Sequence, residues 1–197
     1  MTTNTKPSTT TTLLYVLVLC VLTLSSCTKN EPDNPTLPVA RPWLTTTTTL
    51  PLPPLPTYTH ITAGSVHNCG ITTNKTITCW GRNNHGLTEP PTGTYTHITA
   101  SDSHNCAIAT DQTIKCWGLN NYGQTEPPTG TYTHITASSN HSCAIATDQT
   151  IKCWGSNASG QAEPPTGTYT HITASDSHNC AIATDQTIKC WGLNNYG

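Results

Sequence analysis

The sequence predicts an all-β protein assembled from four copies of one small three-stranded unit. Three observations carry this. Tyr58, Tyr95, Tyr132 and Tyr169 each open the hexapeptide Tyr-Thr-His-Ile-Thr-Ala, always 37 residues apart, and a fixed period of this size marks a solenoid or a propeller. The 197 residues include 42 Thr, 15 Pro and 13 Gly, with no Phe and one Met, a composition of strand and turn formers that argues against a helical bundle. Each unit also carries two cysteines in the spacing Cys-x9-Cys, which suits a hairpin. Charged residues make up only 9 % and the net charge is −2, so neither a basic nucleic-acid binder nor an acidic solvating tail is indicated.

Residues 1–26 read as an export signal. The apolar run from Leu13 to Leu24 would rise about 18 Å as a helix, too short for a bilayer core of about 30 Å but the length of a signal-peptide core. Leu24-Ser25-Ser26-Cys27 follows, and it resembles the bacterial lipobox. That resemblance implies cleavage before Cys27, lipidation of its thiol, and a chain lipid-anchored in a bacterial cell envelope, at the outer membrane or cell surface. An uncleaved anchor or a plain secretory peptide is the alternative. Residues 27–57 then form a tether rich in Thr and Pro with no apolar periodicity, expected to stay extended and disordered.

The repeats occupy 58–94, 95–131, 132–168 and 169–197. Each unit reads as three strands and a turn-rich tail. In the second copy the first strand is Tyr95-Thr-His-Ile-Thr-Ala100. Strict alternation there sets Thr96, Ile98 and Ala100 on one face, with Tyr95, His97 and Thr99 on the other. The other two strands flank Thr110-Asp111-Gln112, and Leu119 to Thr131 is turn chemistry of Asn, Gly and Pro-Pro.

The cysteine spacing sets the hairpin register. A three-residue loop of Thr110, Asp111 and Gln112 places Cys106 opposite Cys116 and Ile108 opposite Ile114, collecting all four on one face. Gln112 must then take the left-handed conformation. The same register applies to Cys69/Cys79, Cys143/Cys153 and Cys180/Cys190. An exported chain meets an oxidising compartment, so four cross-strand disulfides are expected, each worth roughly 2–3 kcal/mol. Structural zinc is the rival reading, because His67, His104, His141 and His178 each stand two residues before the first Cys.

The run His104-Asn105-Cys106-Ala107-Ile108, followed after the turn by Lys115-Cys116-Trp117-Gly118-Leu119-Asn120-Asn121-Tyr122-Gly123-Gln124, resembles the repeat of the regulator of chromosome condensation family. The other copies carry Trp80-Gly81 with Asn83 and Gly86, Trp154-Gly155 with Asn157, Gly160 and Gln161, and Trp191-Gly192 with Asn194 and Gly197. The short unit is most similar to the secreted bacterial members of that family, which include an inhibitor of β-lactamase. The resemblance implies a β-propeller with the repeat as blade, here an array of four three-stranded blades closed as a ring or left as an open arc. Such relatives have about seven blades; the cysteine pairs and Leu87, where other copies have Gln, are departures from the pattern. In such an array the Cys/Ile face of one blade is expected to rest on the small Ala face of the next.

For function, repetition works against a unique catalytic centre, and no Ser/His/Asp set or phosphate loop is visible. The chain reads as a non-enzyme without cofactor or metal. The strand histidines His60, His97, His134 and His171 read as packing residues, with a metal-binding ring as the alternative. From Tyr58 onward there are five cations and eight anions, so nucleic-acid binding lacks its electrostatic basis. The leading expectation is a module that binds an unknown protein through its loops. The copies differ most at 64–66, 101–103 and 138–140, and at 82–87, 119–124 and 156–161, which nominates Arg82, Asn84, His85, Asn121, Tyr122, Asn140, Ser159 and Tyr196. A structural surface spacer, or a truncated repeat protein, with no specific ligand is the alternative, and the terminal blades of an open arc could self-associate.

Overall fold

The computed structural model describes residues 54–195; the expected signal segment, Cys27, most of the tether and Tyr196 lie outside them. Four antiparallel sheets of three strands follow one another, each ordered as in the sequence. The first blade holds β1 (Tyr58–Ala63), β2 (His67–Thr72) and β3 (Ile77–Gly81); the second holds β4 (Tyr95–Ala100), β5 (His104–Ala109) and β6 (Ile114–Gly118). The third holds β7 (Tyr132–Ala137), β8 (His141–Ala146) and β9 (Ile151–Gly155); the fourth holds β10 (Tyr169–Ala174), β11 (His178–Ala183) and β12 (Ile188–Gly192). One short 3₁₀ turn, Asn84–Gly86, is the sole helical element among the described residues.

The hairpin of the second and third strands has the expected register. Cys106 faces Cys116 and Ile108 faces Ile114. Gln112 has φ 69°, and its amide closes the turn on the Ala109 carbonyl at 2.9 Å. Every cysteine of the repeats is bonded within its own hairpin: Cys69 to Cys79, Cys106 to Cys116, Cys143 to Cys153 and Cys180 to Cys190, with Cα atoms 4.1 Å apart in each pair. Gly118 leaves the last strand at φ +112°, where a Cβ would stand 2.7 Å from the Ser103 carbonyl oxygen. Only glycine turns out of the blade at that point.

The two cysteines of a pair are not equally covered. Cys69, Cys106 and Cys143, on the middle strands, are fully buried. Their partners Cys79, Cys116 and Cys153 lie on the outer strands and are only half-buried. The physical reason is position in the sheet: a middle strand is flanked on both sides, whereas an outer strand forms the sheet edge. In the fourth blade, which no further blade covers, Cys180 is half-buried and Cys190 is exposed.

The first strand corrects an expectation. Strict alternation groups Tyr95 with His97, but the pairing shifts between them, leaving Thr96 as an extra residue. The Thr96 hydroxyl donates to the Ile108 carbonyl, so the bulge has its own local bond. Tyr95 therefore shares a face with Ile98, Ala107 and Ala109 rather than with His97. The same shift recurs in β1, β7 and β10.

The core lies between blades. Cys69, Ile71 and Ile77 of the first blade pack on Tyr95, Ala107, Ala109 and Trp117 of the second, with Cys79 at the margin of the cluster. The second packs on the third, and the third on the fourth, through equivalent residues, Cys116 and Cys153 taking the marginal place. Small Ala side chains on the receiving face let the bulky Cys/Ile face approach. Buried Tyr95, Tyr132 and Tyr169 fill the inner edge while bonding the Pro91, Pro128 and Pro165 carbonyls. Of the two expected arrangements, the open arc is the one present. Among the described residues each blade packs on its sequence neighbours, and Ile188 of the last blade is 69 % exposed where Ile114 is 9 %.

Candidate functional site

Three of the four histidines that precede a first Cys are used between blades, and the fourth, His178, is exposed. His67 Nε2 lies 2.6 Å from Asn105 Oδ1, His104 Nε2 lies 2.7 Å from Ser142 Oγ, and His141 Nε2 lies 2.8 Å from Asn179 Oδ1. These three side chains are buried. Burial holds the His104 imidazole down to a pKa of about 4, with the nearby His141 adding to the effect, so the ring is neutral at ordinary pH. The carboxylates have local work too. Glu89, Glu126 and Glu163 accept from Asn83, Asn120 and Asn157 at 2.8 Å and brace the tail turn. Asp111, Asp148 and Asp185 cap their hairpin turns by accepting from the Thr113, Thr150 and Thr187 hydroxyls, which holds each carboxyl below its ordinary range.

The loops in which the copies differ come together. The Arg82 amide donates to the Val66 carbonyl, Leu119 to Ser103, and Ser156 to Asn140, all at 2.8–2.9 Å. These bonds pin the two variable segments of each blade side by side. Both segments therefore emerge at one end of the blades, and the Thr-Asp-Gln hairpin turns emerge at the other, because successive antiparallel strands reverse direction. At the loop end Arg82, Asn84, His85, Asn121 and Tyr122 are exposed, with Tyr122 57 % accessible, whereas Asn140 and Ser159 are half-buried.

A polar groove of about 280 Å³ runs across this end, lined by Ser65, Ser101, Asp102, Ser138, Ser139 and Asp176 together with small residues. Its side chains form a row that crosses blade boundaries. Ser65 donates to Asp102, and Ser139 Oγ lies 3.1 Å from Asp102 Oδ2 and 2.9 Å from Asp176 Oδ1. None of these four was nominated individually from sequence. The signal that finds them is their position inside the variable segment after the first strand. Among the described residues, no group of three or more His, Cys, Asp or Glu side chains is placed to hold a metal ion.

With this geometry in hand, comparison with known proteins is decisive at the level of the family. The model of the regulator of chromosome condensation (RCC1) repeat matches residues 58–87, 95–124, 132–161 and 169–197. The chain belongs to this family. Among solved structures, the entire ectodomain of the receptor kinase CR4 from Physcomitrella patens is 28 % identical, with a TM-score of 0.63, covering 71 % of this chain and 42 % of that one. Yeast RCC1 (Prp20), solved bound to Kap60, is 15 % identical with a TM-score of 0.62, covering 72 % of this chain and 45 % of that one, and shows the fold alone. The CRINKLY WD40 ectodomain of the Arabidopsis thaliana receptor kinase ACR4 is 24 % identical with a TM-score of 0.60, covering 72 % and 55 %. The chain thus spans about half the length of these relatives. No curated protein matches it in sequence.

As an RCC1-repeat protein, the chain uses the Trp of its Trp-Gly-x-Asn-x-x-Gly motif, joined in two blades by the Asn of the middle strand, to hold blades together. Trp117 and Asn105 both donate to the Leu87 carbonyl, and Trp191 and Asn179 both donate to the Gln161 carbonyl. These side chains form a joint, which leaves function to the residues that the joint does not use.

Proposed function

We propose that this RCC1-repeat protein is an exported, lipid-anchored, non-catalytic module that binds another protein through the loop end of its blades. One observation carries the reading: both segments in which the near-identical copies differ emerge at the same end, around a polar groove. The exposed Arg, Asn, His and Tyr side chains there suit adaptable polar contacts with a protein surface. Relatives of the same fold support a binding role, since yeast Prp20 was solved with Kap60 and characterised for binding to Gsp1p and histones. Four disulfides support an oxidising compartment, and similarity to a receptor-kinase ectodomain is consistent with one. Cys27, outside the described residues, supplies the lipid in this reading.

The test is capture from envelope extract with the full chain and with an Arg82→Ala/Tyr122→Ala variant. A protein retained by the first and lost with the second supports loop-end binding. Equal capture by both, or none, favours the spacer. Intact mass of the purified chain reads the lipid directly.

The ends of the arc support self-association as a second reading. Residues 169–197 repeat 95–123 letter for letter, so the outer face of the fourth blade carries the side chains that the third blade covers on the second. The first blade presents Ile61, 71 % exposed, on the face that would receive it.

A further inference from the structure

The inner strands place four histidines in a row that neither the blade joints nor the loop end uses. The ring centroids of His60 and His97 are 5.9 Å apart, those of His97 and His134 6.2 Å, and those of His134 and His171 5.9 Å, with the planes tilted by 41–52°. All four side chains are exposed. Each is aimed by the bulge in its own strand, which re-directs a side chain as bulges do beside functional sites.

The bulge also sets the tautomer. Thr59, Thr96, Thr133 and Thr170 each donate the single hydroxyl proton to a main-chain carbonyl, that of Ile71, Ile108, Ile145 or Ile182. The same hydroxyl oxygen lies 3.1–3.2 Å from Nδ1 of the following histidine. A hydroxyl that has spent its proton can only accept, so Nδ1 carries the imidazole proton and Nε2 keeps its lone pair. No protein group among the described residues bonds Nε2 in any of the four. A backbone-anchored oxygen that takes the Nδ1 proton is the arrangement that orients metal-ligating histidines.

We propose that this ladder binds borderline divalent transition-metal ions such as Cu(II), Ni(II) or Zn(II), each held by the Nε2 atoms of two adjacent rungs. Imidazole nitrogen is a preferred ligand for these ions, and water completes the sphere because no third side chain converges. Two rings on one tetrahedral ion at a metal–nitrogen distance of about 2.0–2.1 Å have centroids about 5 Å apart, so rotation of exposed side chains closes the remaining gap. Four rungs make two independent pairs, His60 with His97 and His134 with His171.

The experiment is titration of the chelator-treated, disulfide-intact full chain with Cu(II) alone, read by calorimetry and by the nitrogen hyperfine pattern in electron paramagnetic resonance. Wild type is expected to bind two more ions per chain than His97→Ala/His134→Ala, each with a two-nitrogen pattern. His97→Ala alone retains one, at His134 and His171. The exposed histidines outside the ladder are replaced in a control, His85→Ala/His178→Ala, which is expected to bind as wild type does. Circular dichroism and intact mass confirm that each variant is folded and bridged. Equal binding by wild type and the ladder double variant, loss of the two ions in the control, or no binding by wild type would each overturn the assignment.

Discussion

The indole nitrogen of Trp117 donates to the main-chain carbonyl of Leu87 at 3.0 Å, from one blade to the turn of the blade before. The Asn105 amide reaches the same oxygen at 3.1 Å. One acceptor thus gathers two donors from its neighbour, and the tail turn of each blade is fixed against the hairpin of the next. The indole bond repeats with Trp154 on Gln124 at 2.8 Å and Trp191 on Gln161 at 3.0 Å, and Asn179 supplies the second donor at Gln161.

Trp117→Phe is expected to cost about 1 kcal/mol for the lost hydrogen bond, because Asn105 still satisfies the carbonyl. Trp117→Ala, which also opens space in a buried junction, should cost about 3–5 kcal/mol. Urea unfolding of both variants checks the difference.

Removing one disulfide tests how local each blade is. Cys106→Ala with Cys116→Ala should lower stability by about 2–3 kcal/mol. In a stacked array the loss concentrates in the altered unit and its neighbours. Hydrogen exchange should therefore rise most in β5 and β6 and least in β12.

The pH dependence follows from His104. Its folded pKa is about 4 and its ordinary value 6.5, so the fold favours the neutral ring. That contribution is complete above pH 6.5 and is lost as pH falls toward 4, amounting to about 3 kcal/mol. Urea midpoints measured from pH 7.5 down to 4 should fall across that window, and less steeply in His104→Gln.

Gln112 holds φ 69°, a left-handed conformation that a side chain strains. Gln112→Gly should stabilise the hairpin by about 0.5–1 kcal/mol, since glycine's greater freedom in the unfolded chain offsets part of the relief. Thermal unfolding measures it.

If the terminal faces pair between copies, Ile188→Lys should return an associating chain to the mass of a monomer, because it places a charge on the exposed Cys/Ile face. Sedimentation at several concentrations reads this. A wild-type chain that is monomeric throughout removes the self-association reading.

Much of the fold is legible in the sequence because it depends on residues about ten apart. Cys106 with Cys116 and Ile108 with Ile114 are two patterns that agree on the register of one hairpin, and the left-handed Gln112 follows from it. How deeply each sulfur lies was not legible: Cys153 is half-buried and Cys190 exposed although both follow the same spacing, because cover comes from the next blade. The face of Tyr95 was not legible either, since alternation assumes that no residue is inserted and Thr96 is. The loop end was half legible. Comparing copies identifies its variable segments, but not that Ser65, Asp102, Ser139 and Asp176 form one row, because each bond there links residues 37 apart.

By itself, then, the chain's sequence determined the repeated unit, its three strands and its internal sulfur bridges, because backbone pairing within a hairpin is decided by near neighbours. Only the tertiary structure decided what adjacent units do to each other: that His67 meets Asn105, that His60 stacks near His97, and that four blades leave the circle open. Those outcomes depend on the angle and offset at which one sheet lies on the next, and no spacing in a sequence encodes an angle.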